Sequence, residues 1–157
     1  MSLPRASQQV QEFLDRFGLN LSVKQFPDST RTAQEAADAV GCEVGQITKS
    51  LVFRSGEKPL LFLVSGKNQL NVDKVSHDLK IPIEKADAQF VRDTTGYAIG
   101  GVPPVAHAVK MEIYIDEDLM AYDLIWAAAG TPHAVFQLKS SDLPRITGGK
   151  VIELKFS

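Results

Sequence analysis

The chain has 157 residues, 44% hydrophobic and 23% charged, with 17 Lys and Arg against 19 Asp and Glu for a net charge of −2. That length suits one domain, because a second core of ordinary size needs roughly 100 more residues, so residues 1–157 are read as a single unit. The composition is that of a soluble globular protein, and the charge balance excludes a binder that tracks nucleic acid by bulk charge while leaving room for a small, locally basic pocket.

Apolar runs such as Leu60–Val64 fall well short of the roughly 20 residues of a membrane helix. The start, Met1-Ser2-Leu3-Pro4-Arg5, has no apolar stretch of the kind a secretory signal needs. A single Cys42 excludes an internal disulfide, which fits a cytoplasmic protein. With only Gly41 and Glu43 beside it, Cys42 has no base or cation to activate it and reads as a small buried hydrophobe.

Val10, Phe13, Leu14 and Phe17 recur at helical spacing before Gly18, which predicts an amphipathic helix over about 6–17 packing onto a sheet. Leu21, Val23 and Gln25-Phe26 alternate as a strand up to the turn at Pro27. Thr32-Ala33-Gln34-Glu35 has the form of a capping box, and the helix it opens stops at Gly41. The segments Ile47–Phe53 and Leu60–Val64 read as two adjacent buried strands joined by the turn Arg54–Pro59. A third short helix, with Asp73 as its cap and a stripe at Val72, Val75 and Leu79, is expected to break at Pro82. Ile113 to Ile115, Leu124 to Ala129 and Val135 to Leu138 read as further strands, and Ser141–Arg145 as a helical turn. Helices and strands alternate without a strict βαβ rhythm, so the expected class is mixed α/β with a sheet that curves or closes.

Lys49 is the one cation of an otherwise apolar strand segment, where a charge is costly unless it is paired or opens onto a pocket. It reads either as an outward-facing residue of a half-exposed strand or as a functional cation. In Thr95–His107, Gly100-Gly101 beside Pro103-Pro104 makes a rigid loop, either a tight turn or a set of backbone N–H groups that a ligand can approach closely. Neither GxGxxG, GxxxxGK[ST], GxSxG nor HExxH occurs, and His77, His107 and His133 have no second metal-type partner nearby in sequence. No metal and no cofactor are therefore expected. His77 reads as a surface residue, while His107 and His133 each follow a proline-containing loop and either border a pocket or lie at the surface. Asp116-Glu117-Asp118 reads as a helix cap or a solvated turn rather than as paired catalytic carboxylates.

In order along the chain, Thr32–Ala37, Gln46–Phe53, Thr95-Gly96-Tyr97, Gly100–Pro104 with His107, Asp116, and Ala129–His133 with Phe136 and Leu138 resemble the YbaK/EbsC family of prolyl-tRNA editing proteins. The resemblance implies a curved, barrel-like mixed sheet flanked by helices. It also implies an aminoacyl-tRNA deacylase that hydrolyses the ester of a mischarged tRNA, a tRNA-Pro carrying Ala, Cys, Ser or Thr. In that reading Lys49 is the functional lysine and the amides at Gly100 and Gly101 hold the aminoacyl carbonyl. Thr32, Ser50, Tyr97, Val102, Pro104, His107, Gly130 and His133 line the substrate site. A ribose hydroxyl of the substrate helps to position or activate the water. The partners are the aminoacylated 3′ end and prolyl-tRNA synthetase, which would supply the tRNA anchoring that a chain this short has no room for. Ser50 and Pro103-Pro104 depart from patterns in other branches of the family, which leaves the amino acid open. The other readings are a non-catalytic module of the same fold that binds a tRNA or a synthetase, and a general esterase.

Overall fold

The first helix, α1 (Arg5–Arg16), completely buries Val10 and Leu14. The computed structural model describes residues 3–156, so the reading of the first two residues lies outside it. Strand β1 (Val23–Gln25) is shorter than the alternation suggests. Both arms of the capping box form on α2 (Ala33–Val40): Glu35 N–H donates to Thr32 Oγ1 and Thr32 N–H to Glu35 Oε1, each at 3.1 Å. Gly41 ends the helix at φ +75°, in the left-handed region that glycine enters without a steric penalty.

β2 (Ile47–Ser55) and β3 (Lys58–Ser65) form the expected antiparallel hairpin. In α3 (Val72–Leu79) the cap is Asn71, whose side chain accepts the Lys74 N–H at 3.2 Å. This corrects the assignment to Asp73, which stands in the first turn instead, where its charge suits the helix dipole. That helix stops at Lys80, in a left-handed conformation, ahead of Pro82. Then come β4 (Glu84–Lys85), α4 (Ala88–Thr95), β5 (Glu112–Asp116), β6 (Leu124–Ala128), β7 (Ala134–Lys139), α5 (Leu143–Thr147) and β8 (Lys150–Ile152). No expectation covered β4, α4 or β8. Cys42 is half-buried rather than buried, its thiol facing the Glu43 carbonyl, and burial pushes that thiol above its ordinary range.

The class is mixed α/β, as expected: among the described residues the eight strands run β1-β7-β6-β2-β3-β5-β8, with β4 also pairing β2. β2 with β6, β3 with β5, and β5 with β8 are parallel, and the other pairs are antiparallel. β3 lies at the centre and is buried on both faces. Leu61 and Leu63 pack with Val10, Leu14 and Phe136, and Leu60, Phe62 and Val64 pack with Val75 and Leu154. A strand covered on both sides reads as the continuous apolar run seen in the sequence.

Candidate active site

β3 pairs with β2 along the whole of one edge, but the other edge is paired only at its ends, by β6 at Ile47 and Thr48 and by β4 at Phe53 and Arg54. Among the described residues no strand joins that edge between Lys49 and Val52. A cavity of about 340 Å³ opens at this split. Its walls are Thr30, Arg31 and Thr32 ahead of α2, Ala33 and Ala36 on it, and the stretch of β2 from Ile47 to Leu51. Trp126, Ala127, Ala128 and Val135 line the side formed by β6 and β7, and Ile99, Gly100 and Val102 come from the long loop after α4. A second cavity of about 230 Å³ continues on the far side of Ser50, Leu51, Ile99, Gly100 and Val102, toward Phe53 and Val91.

The Lys49 side chain is half-buried in this wall, and its Nζ donates to the main-chain carbonyl of Asn68 at 2.5 Å. Burial pulls the ammonium below the ordinary lysine range, and the negative charge of Asp116 works in the opposite direction. The two hydroxyls that flank it on β2, Thr48 Oγ1 and Ser50 Oγ, are buried with no hydrogen-bond partner among the described residues.

Loop geometry separates the two glycines of the Gly-Gly pair. Gly101 N–H donates to the Ala98 carbonyl at 3.0 Å, closing a turn, and its own carbonyl accepts the Gly130 N–H at 2.9 Å. Among the described residues the N–H groups of Ile99, Gly100 and Val102, all three on the cavity wall, have no acceptor, so these are the amides the loop leaves for a ligand. Gly100 stands at φ +94°, and a Cβ there would meet Cγ of Arg31 at 2.7 Å, so the bare glycine makes room for the arginine stem to lie across the loop. Gly101 lacks room for a different reason: its Cβ would stand 2.8 Å from the Thr131 Cα.

Of the residues singled out in the sequence, Lys49, Gly100, Thr32, Ser50 and Val102 come together around the cavity. Gly101, Tyr97, Pro104, His107, Gly130 and His133 do not line it. Tyr97 is 2% exposed, and its hydroxyl donates to the Ala106 carbonyl at 2.9 Å, fastening the loop from beneath. Pro104 and His107 border a separate cavity of about 170 Å³. The turn Gly130–His133 acts at one remove: Thr30 N–H donates to the Pro132 carbonyl at 2.6 Å and Phe26 N–H to the His133 carbonyl at 2.8 Å, which holds the Thr30–Thr32 wall in place. The His133 ring, on the surface, faces the Asp28 carbonyl at 3.1 Å. Asp116 caps the turn Glu117–Ala121 as expected, but it is fully buried rather than solvated. Sequence reasoning passed over Arg31, Thr48, Asn68 and Trp126. For Thr48 the signal was present, a polar residue of a buried strand two positions from Ser50. Among the described residues no group of three His, Cys, Asp or Glu side chains is placed to hold a metal ion, and no helix is long and apolar enough to cross a membrane.

Fold and site together define a class: a mixed-sheet domain whose split strand carries a half-buried cation on the same cavity as a glycine loop with free amides. Residues 27–146 match the profile of the aminoacyl-tRNA editing domain, and the chain belongs to that family. A solved structure described as a candidate trans-editing enzyme for prolyl-tRNA synthetase is similar over 99% of this chain and 100% of its own, with a TM-score of 0.94 and 48% identity. EbsC of Enterococcus faecalis, named for Cys-tRNA(Pro) and Cys-tRNA(Cys) deacylation, is 25% identical over 125 residues, 78% of this chain and 76% of that protein. Proline–tRNA ligase of Lactobacillus helveticus is 27% identical over 115 residues, 73% of this chain but 20% of the ligase.

Proposed function

We propose that the protein is a trans-acting, cytoplasmic deacylase that hydrolyses the ester between a small wrong amino acid and the terminal adenosine of a tRNA, with tRNA-Pro as the first candidate. The observation that carries this reading is the meeting of the Lys49 ammonium and the unpaired Gly100 and Val102 amides at the split in β2.

Water adds to the aminoacyl carbonyl, the bond to the ribose oxygen breaks, and free amino acid and tRNA leave. The carbonyl oxygen gains negative charge on the way, and a fixed N–H aimed at it contributes roughly 3 kcal/mol. Gly100 and Val102 take this role in place of the Gly100-Gly101 pair, because Gly101 N–H is already bonded within its own turn. Lys49 supplies a point charge beside the ribose or its phosphate. A ribose hydroxyl of the substrate positions the water, which suits a pocket where no side chain stands out as a general base. Discrimination comes from size: a synthetase rejects a smaller apolar amino acid by only about 1–3 kcal/mol per methylene, and a small hydrolytic pocket acts as the second sieve. The likeness to a fifth of a proline–tRNA ligase supports a synthetase as the partner that presents the tRNA.

Incubation with tRNA-Pro charged with Ala, Cys, Ser or Thr is expected to clear at least one of them well above the spontaneous rate while leaving Pro-tRNA intact. Tight binding of uncharged tRNA with no turnover of any of the four would instead identify a binding module. Equal turnover of small esters without tRNA would identify a general esterase.

A further inference from the structure

Asp116 ends β5 inside the protein at 0% exposure, and among the described residues it belongs to no salt bridge. Its hydrogen-bond partners are all neutral donors. Oδ2 accepts the Ser65 N–H at 3.0 Å and Asn68 Nδ2 at 2.8 Å, and Oδ1 accepts the Asp118 N–H at 2.9 Å. A buried carboxylate held by neutral donors alone is unfavourable unless an opposite charge faces it. Two cations feel its charge: Lys155, which Asp118 holds, and Lys49, reached through one residue. Asn68 grips Asp116 with its side chain and accepts the Lys49 ammonium with its main-chain carbonyl. Its Nδ2 also reaches Asp118 Oδ2 at 2.8 Å, but Asp118 has a cation of its own in Lys155 at 2.6 Å.

We infer that Asp116 is the positioning residue of the lysine site: it pins the turn from Ser65 to Asn68 so that the Asn68 carbonyl seats the Lys49 ammonium against the pocket. This inference rests on the reading of Lys49 as functional. The carboxylate has a second effect, because its charge favours the protonated lysine against burial. The other charged groups around this unit are Glu117 and Asp118 on the turn after β5, Lys67 beside Asn68, Lys155 near the C-terminus, and Arg31 across the cavity. Asp118 holds Lys155, which also feels Asp116 and Glu117, and Asp116 is the carboxylate whose charge bears on Lys49.

Two variants and two readouts test this. Asp116→Asn keeps the size, removes the charge and turns one accepting oxygen into an N–H donor, and Asn68→Ala keeps the charge and removes the side-chain tether. One readout is kcat and KM for the mischarged tRNA that the wild type clears. The other, taken without tRNA, is the pH dependence of Lys49 acylation by an amine-directed reagent, followed by mass spectrometry of the intact fold. Asp116→Asn is expected to lower kcat about tenfold with little change in KM and to move the alkaline limb of the activity, and the Lys49 labelling midpoint, to lower pH. Asn68→Ala is expected to lower kcat while moving the midpoint less. A folded Asp116→Asn protein whose labelling midpoint matches the wild type overturns the inference, whatever its activity, since a purely structural loss would lower Tm without touching the lysine. Should that variant not fold, an Asn68→Ala protein with wild-type kcat and wild-type labelling overturns it equally. If the wild type clears no ester at all, the deacylase reading fails, while the labelling arm still decides the role of Asp116.

Discussion

The loop from Ala98 to His107 has two halves that are built in opposite ways. On the pocket side Ile99 is 47% exposed, Gly100 takes a backbone conformation that side chains rarely adopt, and among the described residues the amides of Ile99, Gly100 and Val102 are unpaired. On the other side Pro103, Pro104 and Val105 are buried, and the chain is tied at two points, by the Tyr97 hydroxyl on the Ala106 carbonyl and by the His107 ring on the Pro103 carbonyl. The prolines explain how a loop can be buried at all, because they carry no N–H that would need a partner in the interior. Rigidity is generated in the proline half, and the donors that border the cavity are in the glycine half. A free amide catalyses well only if it does not have to reorganise as charge develops, so the first half is what makes the second useful.

The largest effect is expected at the cation that faces the glycine half. Lys49→Ala should lower kcat/KM for a mischarged tRNA by about 10²–10³, within the range for loss of one preorganised electrostatic group, with Tm close to wild type because the side chain is only half-buried. Clearance at the wild-type rate by the folded variant would move the chemistry out of this cavity. Next comes Gly100→Ala, which forces a Cβ onto φ +94° and into the Arg31 stem. Roughly a tenfold loss of activity is expected, together with strain of about 1–3 kcal/mol in the loop. An active, stable variant would show that the Gly100 amide is not aimed at the substrate.

What the sequence made legible follows from how local each signal is. The capping box at Thr32, the stop at Gly41 and the hairpin from β2 to β3 are decided by residues within a few positions of one another, and all three were read in advance. α4 was not, because Ala88–Thr95 is mostly polar and its start rests on Asp87 accepting the Phe90 N–H. At the site, Lys49 and Gly100 stood out as local anomalies, a charge in an apolar strand and a glycine pair beside a proline pair. Asn68 gives no such signal, and Asp116 stands out only within the acidic turn Asp116-Glu117-Asp118, with nothing local that ties it to Lys49. Asn68 and Asp116 meet across 48 positions of chain, and only the parallel pairing of β3 with β5 brings them together. The Gly-Gly pair shows a further limit: composition marks both glycines as permissive, and only the turn geometry decides which amide is already bonded.

The buried half of the loop should be sensed through stability rather than through rate, and His107 is where to measure it. Its Nε2 lies 2.7 Å from the Pro103 carbonyl, which can only accept, so the neutral ring carries its proton on that nitrogen. Burial pulls the ring below the ordinary histidine range, and the bond to Pro103 offsets only part of this. With the folded value below the unfolded one, the unfolded chain binds a proton that the folded chain refuses. Stability contributed by the neutral ring is therefore present above the unfolded value, near 6.5, and is lost as pH falls toward the folded one. Tm should drop between pH 7 and pH 5 in the wild type, and His107→Gln, which can keep an N–H donor near Pro103, should flatten that slope while leaving clearance near pH 7.5 nearly unchanged. Equal slopes for the two proteins would remove His107 as the sensor. A large loss of clearance at unchanged Tm would mean that the two halves of the loop are not separate in function, and that the ring reaches the substrate after all.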